Sequence, residues 1–205
     1  MKKRIMLLLA ALMALLSCAE MGNEFDNTWD PNGTKYNEKG NDINKYKTVK
    51  IGTQTWMAEN LDYAIAGSAC YNNRSSNCAK YGRLYTWDAA NRACPSGWHL
   101  PSDAEWAKLT DYVGGASTAG TKLKAASGWN SGGNGTDQYG FSALPGGYGL
   151  SGGDFDYAGY YGYWWSATED DASSAWSRLM DYIDENVYRH GSGKTYLFSV
   201  RCVAN

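Results

Sequence analysis

Two segments near the middle of the chain carry apolar residues at the spacing of an amphipathic helix. The first is predicted to run from Thr86 or Asp88 to about Cys94, because a proline and a glycine follow closely and end a helix. The second is predicted to begin after Ser102, which has the residue type of an N-cap, and to end near Val113 at two consecutive glycines. A glutamate three positions after the serine predicts a capping box.

Apolar and polar residues alternate with period two on both sides of these helices. Thr48–Met57 is predicted to form a hairpin, and a third, short helix is predicted over Ala119–Ala126. Helices followed by antiparallel strands, with the first hairpin able to join the last strand, predict an α+β domain with two main helices packed on antiparallel sheets. The strands predicted after the helices are Tyr163–Thr168, Ala175–Tyr182, Asn186–Arg189 and Tyr196–Val203.

Glycine and aromatic residues dominate the segment Gly128–Trp165, which separates the helices from these strands. Gly128–Tyr163 contains twelve glycines and nine aromatic residues, a glycine density that excludes a helix. Disordered segments are poor in aromatic residues, so we expect a long ordered loop held by aromatic packing. Phe141, Trp164 and Trp165 are expected to face inward, because they lie in strand-like runs.

The other rings of this loop form the candidate ligand-binding surface. Aromatic rings with polar tips are the residue type that stacks on sugar rings or anchors a protein partner. Tyr157, Tyr160 and Tyr161 are expected to be exposed, because they lie where the chain is rich in glycine and least periodic. The alternative is that the rings pack against one another as a hydrophobic core inside the loop. The candidate residues are Trp129, Tyr148, Phe155, Tyr157, Tyr160 and Tyr161.

The N-terminus resembles a bacterial lipoprotein signal. Three basic residues precede twelve apolar ones, Ile5–Leu16, and a serine and Cys18 follow. The apolar run is too short to span a membrane, whereas a lipid on Cys18 would anchor the chain to one. The alternative is an ordinary secretory signal with an incidental cysteine. We expect a signal peptide at 1–17, a lipid-anchored tether at 18–45 and one domain at 46–205, on the periplasmic or cell-surface face of the outer membrane.

The charge of the chain argues against one class of partner. Removal of Lys2, Lys3 and Arg4 with the signal leaves 16 of the 19 basic residues against 21 acidic ones, a net charge near −5. Such a chain has no electrostatic reason to bind nucleic acid or anionic lipid.

Four cysteines remain once Cys18 is assigned to lipid, and an even number in an exported chain predicts two disulfides. Of the three possible pairings we favour Cys70–Cys78 and Cys94–Cys202. The first closes a short loop, and the second ties the first main helix to the last strand. A metal site is the weaker alternative, because two histidines and no Cys-x-x-Cys spacing give a poor ligand set. No cofactor and no metal are expected.

The sequence offers few candidates for catalysis. Ser142 and Ser166 lack the sequence context of an activated nucleophile, and His99 is expected to pack or cap beside the second helix. The carboxylates of Glu169–Asp171 are expected to form an exposed acidic turn. Five oxygen-bearing side chains of the loop match no EF-hand spacing and are expected to be turn residues. They are Asn130, Asn134, Asp137, Asp154 and Asp156.

Six motifs occur in order along the chain: Val49–Leu61, Tyr81–Trp87, Cys94–Ser102, Gly140–Tyr148, Trp164–Thr168 and Ser199–Val203. Together they resemble the Fibrobacter succinogenes major paralogous domain family, over roughly residues 46–204. That family is in turn similar to C-type lectin-like domains. There, a helix with a cysteine precedes a second helix, a long loop follows, and a cysteine of the terminal strand closes back to the first helix. Cys94 and Cys202 match these two positions.

The resemblance implies a fold more than an activity. The Glu-Pro-Asn, Gln-Pro-Asp and Trp-Asn-Asp motifs of calcium-dependent lectins are absent, and the second disulfide of that fold has no counterpart. Formylglycine-generating enzymes share the broad fold and use two nearby cysteines, where this chain has Cys202 alone. We expect a lipid-anchored cell-envelope binding or adhesion module whose partner is polysaccharide or a surface protein. The alternatives are a glycan- or peptide-acting enzyme on the same fold and a structural envelope protein.

Overall fold

A computed structural model of the chain describes residues 43–205. The predicted signal peptide, the lipidation candidate Cys18 and nearly all of the predicted tether lie outside these residues. Within 43–205, no helix has the length and apolar character needed to cross a membrane.

Four α-helices lie in the described part of the chain: α1 (Ser75–Tyr81), α2 (Trp87–Ala93), α3 (Asp103–Tyr112) and α4 (Ala116–Leu123). Short 3-10 helices cover Ile43–Lys45, Tyr71–Asn73 and Asn130–Gly132. The strands are β1 (Thr48–Ile51), β2 (Gln54–Met57), β3 (Ser68–Ala69), β4 (Leu84–Tyr85), β5 (Trp98–His99), β6 (Tyr148–Gly149), β7 (Phe155–Asp156), β8 (Tyr161–Glu169), β9 (Ser174–Asp181), β10 (Val187–Gly193), β11 (Phe198–Ser199) and β12 (Val203–Ala204).

These strands form three sheets in an α+β arrangement. One sheet has the order β1-β2-β12-β5, a second the order β10-β9-β8-β11-β4-β3, and β6 pairs with β7. Neighbouring strands are antiparallel, except that β11 runs parallel to β8. Val203 of β12 pairs with Trp56 of β2, so the first hairpin joins the end of the chain as predicted.

The two main predicted helices are confirmed. Thr86 caps α2, because its side chain accepts a hydrogen bond from the Ala89 N–H. The predicted capping box of α3 is present: the Ser102 N–H donates to Glu105 at 2.8 Å, and the Glu105 N–H donates to Ser102 at 3.3 Å. Each pair satisfies a backbone donor that the first helical turn leaves free.

The predicted helix at Ala119–Ala126 is real but displaced toward the N-terminus, and α1 is a further helix that the apolar pattern did not predict. Helix α4 ends at Leu123 because the following backbone forms a β-bridge with Ala143. Helix α1 has seven residues and lies partly inside the loop closed by the Cys70–Cys78 disulfide.

The predicted strand Tyr196–Val203 is wrong as a single element. Its residues divide into β11 and β12, which belong to different sheets, and the intervening Arg201 and Cys202 are fully buried. The strand predicted at Asn186–Arg189 is longer than expected, because its pairing with β9 continues to Gly193.

Strand β8 has a hydrophobic core on each side. On one side Trp164 packs with Trp106 and Leu109 of α3. On the other side Trp165 packs with Ala90 of α2 and with the terminal strands. Phe141, Trp164 and Trp165 have no exposed surface, which confirms that they face inward.

Arg201 joins the glycine-rich loop to the first hairpin. Its Nε donates to Asn60 Oδ1 at 2.8 Å and its Nη2 donates to the Ser142 carbonyl at 2.8 Å. Its Nη1 donates to the carbonyls of Met57 and Phe141. The guanidinium therefore holds in place a loop that has little regular secondary structure.

Both disulfides of the favoured pairing are present in the structure. Cys70 and Cys78 have Cα atoms 5.0 Å apart, and those of Cys94 and Cys202 are 5.9 Å apart. The second bridge links the end of α2 to the segment just before β12.

Candidate ligand-binding groove

Alternate side chains of β8 point to opposite faces of the large sheet. Trp164 lies on the face that packs against α3 and α4, and Tyr161, Tyr163 and Trp165 lie on the other face. Helix α2 covers this second face near Trp165. At Tyr161 and Tyr163 the face is bordered instead by β11 and by the hairpin of β6 and β7. The aromatic rings of this hairpin are only partly buried.

Six rings form a connected group on this face, which we call the tyrosine cluster. Tyr157 stacks on Tyr148 with 6.0 Å between ring centroids and 19° between planes. Tyr163 stacks on Phe198 at 4.7 Å and 20°. Each ring is thus held at a fixed orientation by another ring. The members are Tyr148, Tyr157, Tyr161, Tyr163, Tyr196 and Phe198.

A groove of about 180 Å³ opens between the tyrosine cluster and the edge strand β10. Its polar wall is formed by His190 and Ser192, and the Ser192 hydroxyl lies 3.0 Å from that of Ser177. Its aromatic wall is formed by cluster members. The lining residues are Tyr148, Tyr163, His190, Gly191, Ser192, Tyr196 and Phe198.

The hydroxyls of Tyr148 and Tyr163 in the groove, and of Tyr161 beside it, are neutral at physiological pH. Burial raises the pKa of Tyr163 to about 12, with further increases from the neighbouring Tyr148 and Tyr161. Burial also raises the pKa of Tyr148 and of Tyr161 above the usual tyrosine value. A protonated phenol both donates and accepts a hydrogen bond, so each hydroxyl can pair with a sugar hydroxyl or an amide.

Segments from four of the six sequence motifs meet behind this face at one buried side chain, Asn60, and a fifth is joined to it through Arg201. Its amide nitrogen donates to the Tyr81 carbonyl at 2.8 Å and to the Ser199 hydroxyl at 3.3 Å. Its Oδ1 accepts from Trp164 Nε1 at 2.9 Å and from Arg201, which in turn holds the Gly140–Tyr148 motif.

The family model of the Fibrobacter succinogenes major domain matches residues 49–204. The chain belongs to this family. No curated protein and no solved structure shows a significant match to this chain.

In this Fibrobacter succinogenes major domain, three of the six predicted ligand-binding residues come together. Tyr148, Tyr157 and Tyr161 all belong to the tyrosine cluster. Tyr160 is 38% exposed, but its ring packs edge-on against Tyr182, at 5.1 Å, rather than against the cluster. The three tyrosines that were expected to be exposed together therefore divide between two places.

Two other predicted surface residues lie elsewhere in the family domain. Trp129 is only 5% exposed, and its Nε1 donates to the Ala143 carbonyl at 3.0 Å. This corrects its assignment to the binding surface, because a large indole with a satisfied N–H fills the core under the loop. Phe155 is half-buried and packs against Tyr71, with centroids 5.6 Å apart.

Sequence reasoning missed six of the seven residues that line the groove: Tyr163, His190, Gly191, Ser192, Tyr196 and Phe198. The alternation of Tyr161 with Tyr163, and of Tyr196 with Phe198, is the signal that could have found three of them. Alternate residues of a strand share one face of the sheet, so each pair had to lie together. His190 carried no comparable signal, because its strand was predicted to end one residue earlier.

The residues considered for catalysis take local structural roles in this domain. His99 Nε2 lies 2.8 Å from Glu105 Oε1, and its Nδ1 lies 2.7 Å from Asn205 Oδ1, so His99 links the α3 cap to the chain end. The Ser142 hydroxyl donates to Asp137. Asp171 accepts backbone hydrogen bonds that form a turn.

Of the five oxygen-bearing side chains expected at turns, Asn134 and Asp137 hold turns of the loop, whereas Asp156 lies in strand β7. Asn134 accepts a hydrogen bond from the Trp129 N–H at 3.0 Å, and Asp137 accepts one from the Ser142 N–H at 2.7 Å. Within residues 43–205, no three His, Cys, Asp or Glu side chains are grouped so as to hold a metal ion.

Proposed function

We propose that this protein is a lipid-anchored cell-envelope binding module that holds polysaccharide on its tyrosine cluster. The observation that carries the proposal is the partly exposed stack of rings beside the groove, with Tyr157 50% and Tyr196 37% exposed. Flat aromatic faces bind the apolar faces of sugar rings, while hydroxyl tips pair with sugar hydroxyls. The cluster supplies both kinds of contact in one place.

The size of the groove favours a sugar chain over a small free ligand. Sites that enclose a drug-sized ligand have volumes of about 300–1,000 Å³. A groove of about 180 Å³ suits one ring of a longer chain, with the neighbouring rings lying along the open cluster. Because the rings already stack on one another, binding would order few side chains and lose little rotamer entropy.

We further propose that the α+β domain has the C-type lectin-like fold. Three features support this assignment: a bridge from the end of α2 to Cys202, pairing of the terminal β12 with the first hairpin, and a long excursion between α4 and β8. The tyrosine cluster draws Tyr148 and Tyr157 from that excursion.

The anchor is proposed from the N-terminal sequence, in which Cys18 follows twelve apolar residues. The variant Cys18→Ala is expected to lose membrane association, since no lipid could be attached to it. Fractionation of cells in high salt measures this, because salt removes proteins held to membranes by charge alone. Unchanged membrane association of the variant would contradict the lipid anchor.

The binding proposal is tested by co-sedimentation of the detergent-solubilised full chain with insoluble polysaccharides. Tyr157→Ala and Tyr196→Ala are expected to weaken binding at least about fivefold, on the order of 1–3 kcal/mol per stacked ring. Tyr112→Ala is the matched control, because Tyr112 is 59% exposed on α3, against the opposite face of the sheet. It should leave binding unchanged.

Two further readouts separate the alternatives. The two cluster variants should change the free energy of unfolding by about 1 kcal/mol or less, whereas Trp165→Ala should lower it by about 3–5 kcal/mol. If Tyr157→Ala destabilises the domain as much as Trp165→Ala does, the cluster is core and the binding proposal fails. Release of soluble sugar from the sedimented polymer would instead support an enzyme.

A further inference from the structure

Two aspartates lie directly across from members of the tyrosine cluster. Asp156 of β7 pairs with Tyr148 of β6, and Asp181 of β9 pairs with Tyr161 of β8. Residues that face each other across antiparallel strands project to the same side, with Cβ atoms about 5 Å apart. Both carboxylates therefore lie on the side of the sheet or hairpin that carries the rings.

The charges of these aspartates reach the rings. After burial, the charge of Asp156 is the next largest cause of the raised pKa of Tyr148. For Tyr161 too, the charge of Asp181 is the next largest cause, after burial, of the raised pKa. A negative field that disfavours a phenolate at these positions also disfavours an anionic group of a ligand bound there.

Two basic residues near the groove, Arg189 and Lys194, are engaged elsewhere. Among the described residues, the seven that line the groove include no lysine or arginine. Arg189 bonds to Asp103 at 2.9 Å, on the face opposite to the rings. The ammonium of Lys194 donates to Glu169 and to two backbone carbonyls. Sites that bind carboxylated sugars normally use such cations, which pair with the carboxylate directly.

Lys124 approaches Asp181 from the helix side of the sheet, but it does not cancel the charge there. Its Nζ donates to the backbone carbonyls of Asp181 and Asp184 at 2.8 Å each. Three carboxylates, those of Asp181, Asp184 and Glu185, act on this one ammonium. The local balance remains negative.

We propose that the tyrosine cluster selects uncharged sugar residues and that Asp156 and Asp181, which lie across from two of its rings, exclude polysaccharides that carry carboxylates. This inference rests on the proposed polysaccharide-binding function and names its substrate class. The rings supply attraction without regard to charge, and the two aspartates supply the discrimination against uronate-containing chains.

The test compares polymers that share a backbone and differ in charge. Suitable pairs are cellulose with C6-oxidised cellulose, and methyl-esterified with de-esterified polygalacturonate. Binding of the full chain is measured by co-sedimentation or affinity electrophoresis at pH 8, at which an ordinary imidazole is neutral. The uncharged member of a pair that binds is expected to bind at least about tenfold more tightly in low salt. The difference should shrink in 1 M salt, where the screening length is about 3 Å.

Substitution of the aspartates gives the decisive comparison. Asp156→Asn together with Asp181→Asn should raise affinity for the charged member several-fold and leave affinity for the uncharged member nearly unchanged. Asparagine suits position 181, because its oxygen can still accept the hydrogen bond that Asp181 receives from the Ile183 N–H. Asp111→Asn is the matched control, because Asp111 is exposed on α3, which packs against the other face.

The outcomes separate this inference from the proposed function. Equal binding of both members of a pair, or no gain for the charged member in the double variant, overturns the charge selectivity alone. Failure of every uncharged polymer to bind overturns the polysaccharide function and the selectivity with it. Binding of a purified envelope protein, abolished by Tyr157→Ala, would identify a protein partner and likewise overturn the inference.

Discussion

Arg201 has no exposed surface, and its guanidinium bonds to Asn60 and to three backbone carbonyls. Burial lowers the pKa of this guanidinium to about 9, a sign of how much hydration the charge has lost. The carbonyls belong to the first hairpin and to the glycine-rich loop. Loss of the side chain would leave several buried acceptors without donors.

We therefore expect Arg201→Met to lower the free energy of unfolding by about 3–5 kcal/mol, measured by denaturant titration. Methionine keeps much of the volume, so the change reports mainly on the lost hydrogen bonds. Arg92→Met is the control, because Arg92 is exposed on α2 and donates to its own helix at Asp88. The control should cost less than about 1 kcal/mol. Equal costs for the two variants would contradict the role given to Arg201.

Single residues also show how far the sequence predicts the site. Phe141, Trp164 and Trp165 were assigned to the interior correctly, although only the two tryptophans lie in a strand, and that strand has a core on each face. Trp129 was assigned to the surface wrongly. Its neighbours along the chain are glycine and polar residues. The core that receives it includes residues of α4 and Ala143, and nothing in the sequence around Trp129 indicates that these residues pack against it. Loop composition therefore predicts that rings pack, and not which ring packs where.

Among the elements, α3 is docked on the sheet through its first residue, Asp103. Its carboxylate accepts hydrogen bonds from Arg178 of β9 at 2.8 Å and from Arg189 of β10 at 2.9 Å. Burial alone would raise the pKa of Asp103, but the hydrogen bonds and charges of the two arginines outweigh it and hold the pKa below the usual value. Arg178 is itself nearly inaccessible, so its charge depends on this partner.

This geometry predicts an acid-sensitive contribution to stability. Because the pKa of Asp103 is lower in the folded state, the unfolded state binds more protons as the pH falls below about 4. The contribution is fully present above that pH and is lost as the pH falls through the folded-state value. Asp103→Asn is expected to cost about 1.5–3 kcal/mol at pH 7 and progressively less below pH 4. Asp88→Asn, in the exposed first turn of α2, should show a much smaller effect. A cost for Asp103→Asn that is the same at pH 3 and pH 7 would exclude this role.

The elements that the sequence predicted well are those with a local signal. The cap of α3 and the alternation of β8 and β9 depend on residues that are neighbours in the sequence. The bounds of all three elements were predicted to within two residues at each end. The division of the last strand into β11 and β12 was missed, because it depends on Arg201 turning inward to meet Asn60, which lies 141 positions earlier. The groove could not be predicted from neighbouring residues either, because Tyr148 and His190 come together only through the pairing of separate strands.

At the scale of the whole molecule, the two disulfides constrain the chain over very different lengths. Cys94–Cys202 spans 108 positions and encloses α3, α4, the glycine-rich loop and the strands β8–β10. Cys70–Cys78 spans 8 positions. In the chain-entropy description, a bridge stabilises by restricting the unfolded state, and the effect grows with the logarithm of the loop length. The long bridge should contribute roughly 5 kcal/mol and the short one roughly 2.5 kcal/mol.

Each bridge is removed by replacing both of its cysteines with alanine, so that no single thiol is left to mispair, and unfolding is followed under oxidising conditions. The pair Cys94→Ala and Cys202→Ala is expected to lower the free energy of unfolding more than the pair Cys70→Ala and Cys78→Ala. Cys202 is fully buried and Cys70 and Cys78 are buried as well, so a packing loss accompanies the removal of either bridge. The short bridge has one compensating feature, because Arg83 Nη1 lies 3.6 and 3.7 Å from its two sulfurs and would lose both contacts. If removal of the short bridge nevertheless costs more, then this local contact outweighs loop closure, and the long bridge is not the principal constraint on the fold.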